Sequence, residues 1–192
     1  MRINFKKLAL LAAWVICAEG KAYSQNANPI DKLQPLVETS AQRLVIAEQV
    51  ALAKWDSGTP VEDTSREVQV IASAAKDGES RGLNRTAVSN FFRAQIEANK
   101  LIQYSLLAEW HRVGKAPAHE PVDLAGSIRP QLDHLETTLI AELAETSDIR
   151  AGASCRDDVA KAVGKYVSAH KRSFSPLKTM ALDRAMAAAC TL

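Results

Sequence analysis

The chain has 192 residues, enough for one domain with a single sizeable core. Its 24 Lys and Arg and 22 Asp and Glu are interspersed, which excludes the clustered basic footprint of a nucleic-acid-binding protein. No Walker loop, GxGxxG fingerprint or HExxH motif occurs, and His111, His119, His134 and His170 lack metal-ligand spacing, so neither a cofactor nor a metal is expected.

The N-terminus carries a leader. Met1 to Lys7 is basic, and Leu8 to Ala18 is apolar but too short to span a bilayer comfortably, the pattern of a secretory signal peptide. Ala22, Tyr23 and Ser24 place cleavage after Ser24, with cleavage after Gly20 as the alternative. Acylation at Cys17 is disfavoured by the bulky Trp14, Val15 and Ile16 before it, and an uncleaved anchor is the weaker reading. Residues 1–24 are thus a signal peptide and residues 25–192 a single domain, periplasmic or secreted and free of the membrane once cleaved. The leader takes away Arg2, Lys6, Lys7, Lys21 and Glu19, leaving 20 basic and 21 acidic residues and a net charge of −1.

Beyond the leader, helical signals follow one another and strand signals are nearly absent. Ile30, Leu33, Leu36, Val37, Leu44, Ala47, Val50 and Ala51 recur at helical spacing until Gly58-Thr59-Pro60. A second helix begins near Asp63 and stops at Asp77-Gly78. A third starts from the N-cap Asn84 and runs past Trp110 to Gly114. Gly114 to Pro121 is a loop, after which Ser127 caps a fourth helix with Pro130 in its first turn and Leu132, Leu135, Leu139, Ile140 and Leu143 on its buried stripe. Further helices span Ser154 to about His170 and Ser175 to the C-terminus, with Pro176 at the first helical position. Long amphipathic helices joined by short loops imply an all-α bundle of about six helices.

Two cysteines remain after the leader, Cys155 and Cys190, in a chain sent to an oxidising compartment, and a disulfide is the natural assignment. Two buried free thiols or a metal pair are the alternatives; no CxxC or clustered Cys/His spacing supports them. Closing that loop stabilises by roughly 3–4 kcal/mol in the chain-entropy model.

The polar residues of the first three helices carry the chemistry. Arg43 and Lys54 are three turns apart with only ~20° of drift, so they share one face, with Ala47 and Val50 between them. Small apolar residues between two long cations suggest a cleft with charged ends, suited to a small anion. Arg66 follows on the second helix. On the third, Asn99 and Gln103 interrupt the stripe Val88, Phe92, Ile96, Leu106, Leu107 and Trp110. Burying each neutral amide costs on the order of 1–3 kcal/mol unless it finds a partner. A hydrogen bond across the bundle is the plain explanation for such a pair; the neighbouring cations favour a ligand as partner.

The joint spacing of Arg43, Lys54, Asp63, Arg66, Glu67, Asn99 and Gln103 resembles the active-site pattern of the all-α chorismate mutases. The surrounding stretches QRLVIAEQVALAKW, PVEDTSREVQV and QIEANKLIQYS, together with the leader and the C-terminal cysteine pair, are similar to the exported subclass, called gamma. The resemblance covers essentially the whole mature chain. Two departures stand out: exported relatives often carry Thr and Glu where this chain has Asn99 and Gln103, and placing the loop-side substrate arginine at Arg129 needs a one-residue insertion.

The resemblance implies the unimolecular rearrangement of chorismate to prephenate, without a cofactor. Arg43 and Arg129 would clamp the substrate carboxylates, and Lys54 and Gln103 would donate to the ether oxygen. Arg66 and Asn99 would bind a carboxylate or back such groups, Asp63 would orient the cations, Glu67 would accept from the substrate hydroxyl, and Ala47 and Val50 would be walls. Arg129, in the first turn of its helix, would add free N–H groups and the positive dipole end. Relatives of this subclass are often homodimers, although one longer chain can supply a whole site. The alternative from another class is a non-catalytic helical protein that binds a small dicarboxylate.

Overall fold

The computed structural model describes residues 28–191, and the leader lies outside them. Among the described residues there is no strand; the chain forms α1 (Pro29–Ser57), α2 (Thr64–Ser80), α3 (Arg85–Val113), α4 (Arg129–Glu145), α5 (Ser147–Arg150), α6 (Cys155–Ala169) and α7 (Pro176–Met186). The one-turn α5 is the element beyond the six expected.

Local signals set most boundaries. Asn28, Asp63, Asn84 and Ser175 each accept a main-chain N–H of the helix that follows, satisfying one of its orphan donors. Gly58 and Gly114, at φ 65° and 80°, end α1 and α3 in the left-handed conformation that glycine adopts without penalty. Gly78, expected as a stop, lies inside α2 because it is buried against α3: a Cβ there would stand 2.8 Å from Cγ2 of Val88.

Two boundaries differ from expectation. Ser127 does not cap the fourth helix. Asp123 does so one turn earlier, its Oδ1 accepting from the N–H groups of Ala125 and Gly126, and Leu124–Ile128 forms a π-helical turn that runs directly into α4. The last helix stops at Met186, and the tail continues to Cys190, bonded to Cys155 with Cα atoms 5.9 Å apart. Arg150, only 1 % exposed, locks that tail by donating to the carbonyls of Ala189 and Leu143 while its own carbonyl accepts from Thr191 N–H.

Helix α1 runs through the centre, ~43 Å long at 1.5 Å per residue. Its Leu33, Leu36, Val37 and Leu44 pack with Phe91, Phe92 and Ile102 of α3, Leu139, Ile140 and Leu143 of α4, and Leu182 of α7. A second apolar cluster joins Ile46 and Val50 of α1 to Ile128 and Leu135, with Leu124 and Leu132 packed against it. It seats the π-helical turn and the start of α4 beside the carboxyl-terminal half of α1. The polar residues of α1, α2 and α3 thereby acquire a fourth wall.

Candidate active site

Between α1, α2, α3 and the start of α4 lies a cavity of about 130 Å³. Arg43, Val50 and Lys54 face it from α1, Asp63, Arg66 and Glu67 from the start of α2, Asn99 and Gln103 from α3, and Arg129 from the first position of α4. Of the residues expected at a site, Ala47 alone does not reach it. Ala47 is fully buried in the main core, because it stands ~40° around the helix from Arg43 and carries a single methyl.

The cations are held under tension between burial and charge. Arg43 is 5 % exposed, and burial lowers its pKa to about 10 against the opposing pull of Glu136 and Asp133. Its guanidinium makes one long bond, Nη1 to the carbonyl of Leu132 at 3.4 Å, and its Nε is buried without a partner. Lys54 donates to the carbonyl of Val61, and burial lowers its pKa while Asp63 and Glu67 pull it upward. Asp63 serves twice, as this electrostatic partner and as the cap of α2 through the N–H of Arg66 at 3.0 Å.

The amides form a relay. Asn99 Nδ2 donates to the carbonyl of Arg43 at 3.0 Å, and Gln103 Nε2 donates to Asn99 Oδ1 at 2.7 Å, leaving Gln103 Oε1 without a partner. The partner that buried amides require is therefore, in part, the main chain of α1.

Three charged residues at the cavity were not anticipated. Asp133 and Glu136 line it from α4, and Lys100 from α3. Arg66 Nη2 lies 2.7 Å from Asp133 Oδ1, and Lys100 binds Glu67 at 3.2 Å. Arg129, Asp133 and Glu136 stand at i, i+4 and i+7, so their common face was open to inspection in the sequence. The expected anion site at free N–H groups of α4 is absent: the N–H of Ser127 and Ile128 bond to Asp123, that of Arg129 bonds to Leu124, and Pro130 has none. Arg129 must act through its side chain.

Five cations and four carboxylates line the cavity, an excess of one positive charge around neutral amide donors and apolar walls. Such a site suits a small, multiply charged anion whose carboxylates meet arginine forks.

Residues 29–104, which supply α1, α2 and most of α3, match the family model described as chorismate mutase type II. The secreted chorismate mutase of Mycolicibacterium smegmatis is 31 % identical over 183 residues, covering 95 % of this chain and 99 % of that protein. The chain belongs to the chorismate mutase family. A crystal structure of chorismate mutase from Burkholderia phymatum superposes with a TM-score of 0.81 at 44 % identity, over 86 % of this chain and all of that one. That of Burkholderia thailandensis gives 0.78 at 33 % identity, over 83 % and 99 %. The all-α bundle and the catalytic class read from the sequence are those of a chorismate mutase, and the expected Cys155–Cys190 disulfide is formed in this chain.

Proposed function

We propose that the cavity converts chorismate to prephenate by holding the flexible dianion in its compact shape and stabilising negative charge that develops on the ether oxygen. The step is a unimolecular shift in which a carbon–oxygen bond breaks as a carbon–carbon bond forms. It needs no proton transfer and no covalent adduct, so positioning and preorganised charge carry the catalysis. The observation that supports this most is Arg43: a buried guanidinium, desolvated and with Nε unpartnered, is matched to an incoming carboxylate.

Arg43 from α1 and Arg129 from the start of α4 grip the substrate carboxylates, and Arg66 joins them from α2 with Asp133 orienting its guanidinium. Lys54 and Gln103 donate to the ether oxygen. Each keeps a donor in reserve, since Lys54 has one of three N–H groups on Val61 and Gln103 one of two on Asn99. Asn99 is a backing group with both polar atoms engaged. Glu67 accepts from the substrate hydroxyl, and Val50 is an apolar wall.

All four walls belong to one chain, so a homodimer is not required for the chemistry. Export as a periplasmic or secreted enzyme is supported by the disulfide and by the relative named as secreted; no helix among the described residues is long and apolar enough to cross a membrane. Substituting either ether-oxygen donor tests the assignment. Lys54→Ala and Gln103→Ala should each lower kcat about a hundredfold to a thousandfold, as for loss of one preorganised donor in a dry site. A variant that changes KM alone would remove that residue from the role.

A further inference from the structure

Lys100 follows Asn99 and precedes Gln103 by three residues, so it enters the cavity wall from the same helix, yet the reaction as assigned leaves it unused. It is only 9 % exposed. Its Nζ stands 2.9 Å from Glu97, 3.2 Å from Glu67 and 3.6 Å from Glu62. Those carboxylates come from α3, α2 and the segment between α1 and α2. An ammonium has three N–H donors, and here three carboxylates surround it, so little is left with which to bind a substrate. The carboxylates in turn hold Lys100 charged, its pKa raised to about 12 against the opposing effect of burial.

We propose that Lys100 is a positioning residue that acts through Glu67, fixing that carboxylate at the cavity wall and neutralising it toward the dianionic substrate. The proposal rests on the assignment of Glu67 as acceptor for the substrate hydroxyl. An acceptor carboxylate in an anion site poses a conflict, because the charge that helps one hydroxyl repels two carboxylates. Pairing Glu67 with a buried ammonium resolves it: the oxygen lone pairs stay available while the field toward the substrate is cancelled at short range. Without Lys100, Glu62, Glu67 and Glu97 become three like charges around one point. Repulsion then drives Glu67 from its place, and its charge faces the substrate uncompensated.

The test is a double-substitution cycle read in kcat and KM separately. Lys100→Met should raise KM about tenfold, the scale of one misplaced charge-assisted hydrogen bond, with kcat within about twofold of wild type. Lys100→Arg should restore KM. In a Glu67→Gln background, where no charge needs neutralising, Lys100→Met should raise KM by no more than about twofold. Equal KM penalties in both backgrounds, or a fall in kcat in both, would overturn action through Glu67 and make Lys100 a direct substrate contact. An unchanged KM with a lowered Tm would reduce it to a structural tie. Glu67→Gln alone leaving KM and kcat unchanged would remove the assigned role of Glu67, and the proposal with it. Should Lys100→Met not fold, Lys100→Gln replaces it in the same cycle with the same outcomes.

Discussion

Gln103 donates from Nε2 to Oδ1 of Asn99 at 2.7 Å, and the direction of that bond is fixed from outside the pair. The carbonyl of Arg43 can only accept, so Asn99 must turn Nδ2 toward it, at 3.0 Å, and Oδ1 toward Gln103. Gln103 is thereby obliged to present its amide nitrogen, and its buried Oε1 is left without a partner. An unpaired acceptor costs stability, and under the proposed mechanism the site bears that cost to keep the second N–H of Gln103 for the substrate.

Asn99→Ala should therefore act on catalysis through Gln103. It removes the oxygen that orients the amide and takes the side-chain donor from the Arg43 carbonyl, which keeps its bond within α1. The expected result is a fall in kcat of about tenfold or more, the scale of one misaligned donor, with a smaller change in KM. Steady-state kinetics on chorismate measure both; an unchanged kcat would remove Asn99 from the relay.

The pH dependence follows from burial. In the proposed mechanism Lys54 and Arg43 act as protonated donors, and desolvation lowers both pKa values, that of Arg43 to about 10. Lowering a cation's pKa brings its loss to lower pH, so kcat/KM should decline on the alkaline side. It should hold between mildly acidic and neutral pH, because the amide of Gln103 does not titrate. The bound dianion raises Lys54 again, so the alkaline limb of kcat should lie above that of kcat/KM. Gln103→Glu, a donor only when protonated, should confine activity to acid pH. A wild-type rate falling sharply toward neutral pH would contradict the amide's role.

The helices were legible in the sequence because apolar period and capping chemistry agree at each start: Asp63, Asn84 and Ser175 cap the helices they were expected to begin. The cavity residues were legible because α1, α2 and α3 pack so that Arg43, Lys54, Arg66, Asn99 and Gln103 converge. Ala47 was misplaced because face-sharing is judged by angle, and a rotation of ~40° with a one-carbon side chain suffices to leave the cavity. Asp123 was overlooked because Ser127 offers an equal local cap signal; what decides between them is the packing of Ile128 and Leu124 near Val50, a tertiary fact. Lys100 escaped for a related reason, since a charge on a helix does not disclose which face its neighbours cover, whereas Asp133 and Glu136 share the face of Arg129 by spacing alone.

Gly78 ties the fold to the site. Its Cα sits where a Cβ would meet Val88 Cγ2 at 2.8 Å, so α2 and α3 approach closely at that point. Gly78→Ala gains helix propensity but must push the helices apart or distort Val88, and overpacking of this kind costs about 1–3 kcal/mol. A lowered Tm together with a raised KM is expected, since Glu67 and Lys100 bridge the same two helices. A Tm at or above the wild type would show that the contact relaxes freely.

The proposed mechanism stands on turnover by this donor set. The decisive measurement follows the ultraviolet absorbance of chorismate on addition of purified residues 25–192, alongside Arg43→Ala and Lys54→Ala. Rapid loss of the absorbance is expected with the wild type, and near abolition by each substitution in a folded, disulfide-bonded protein. Chorismate bound but not converted, or turnover that survives both substitutions, would contradict it.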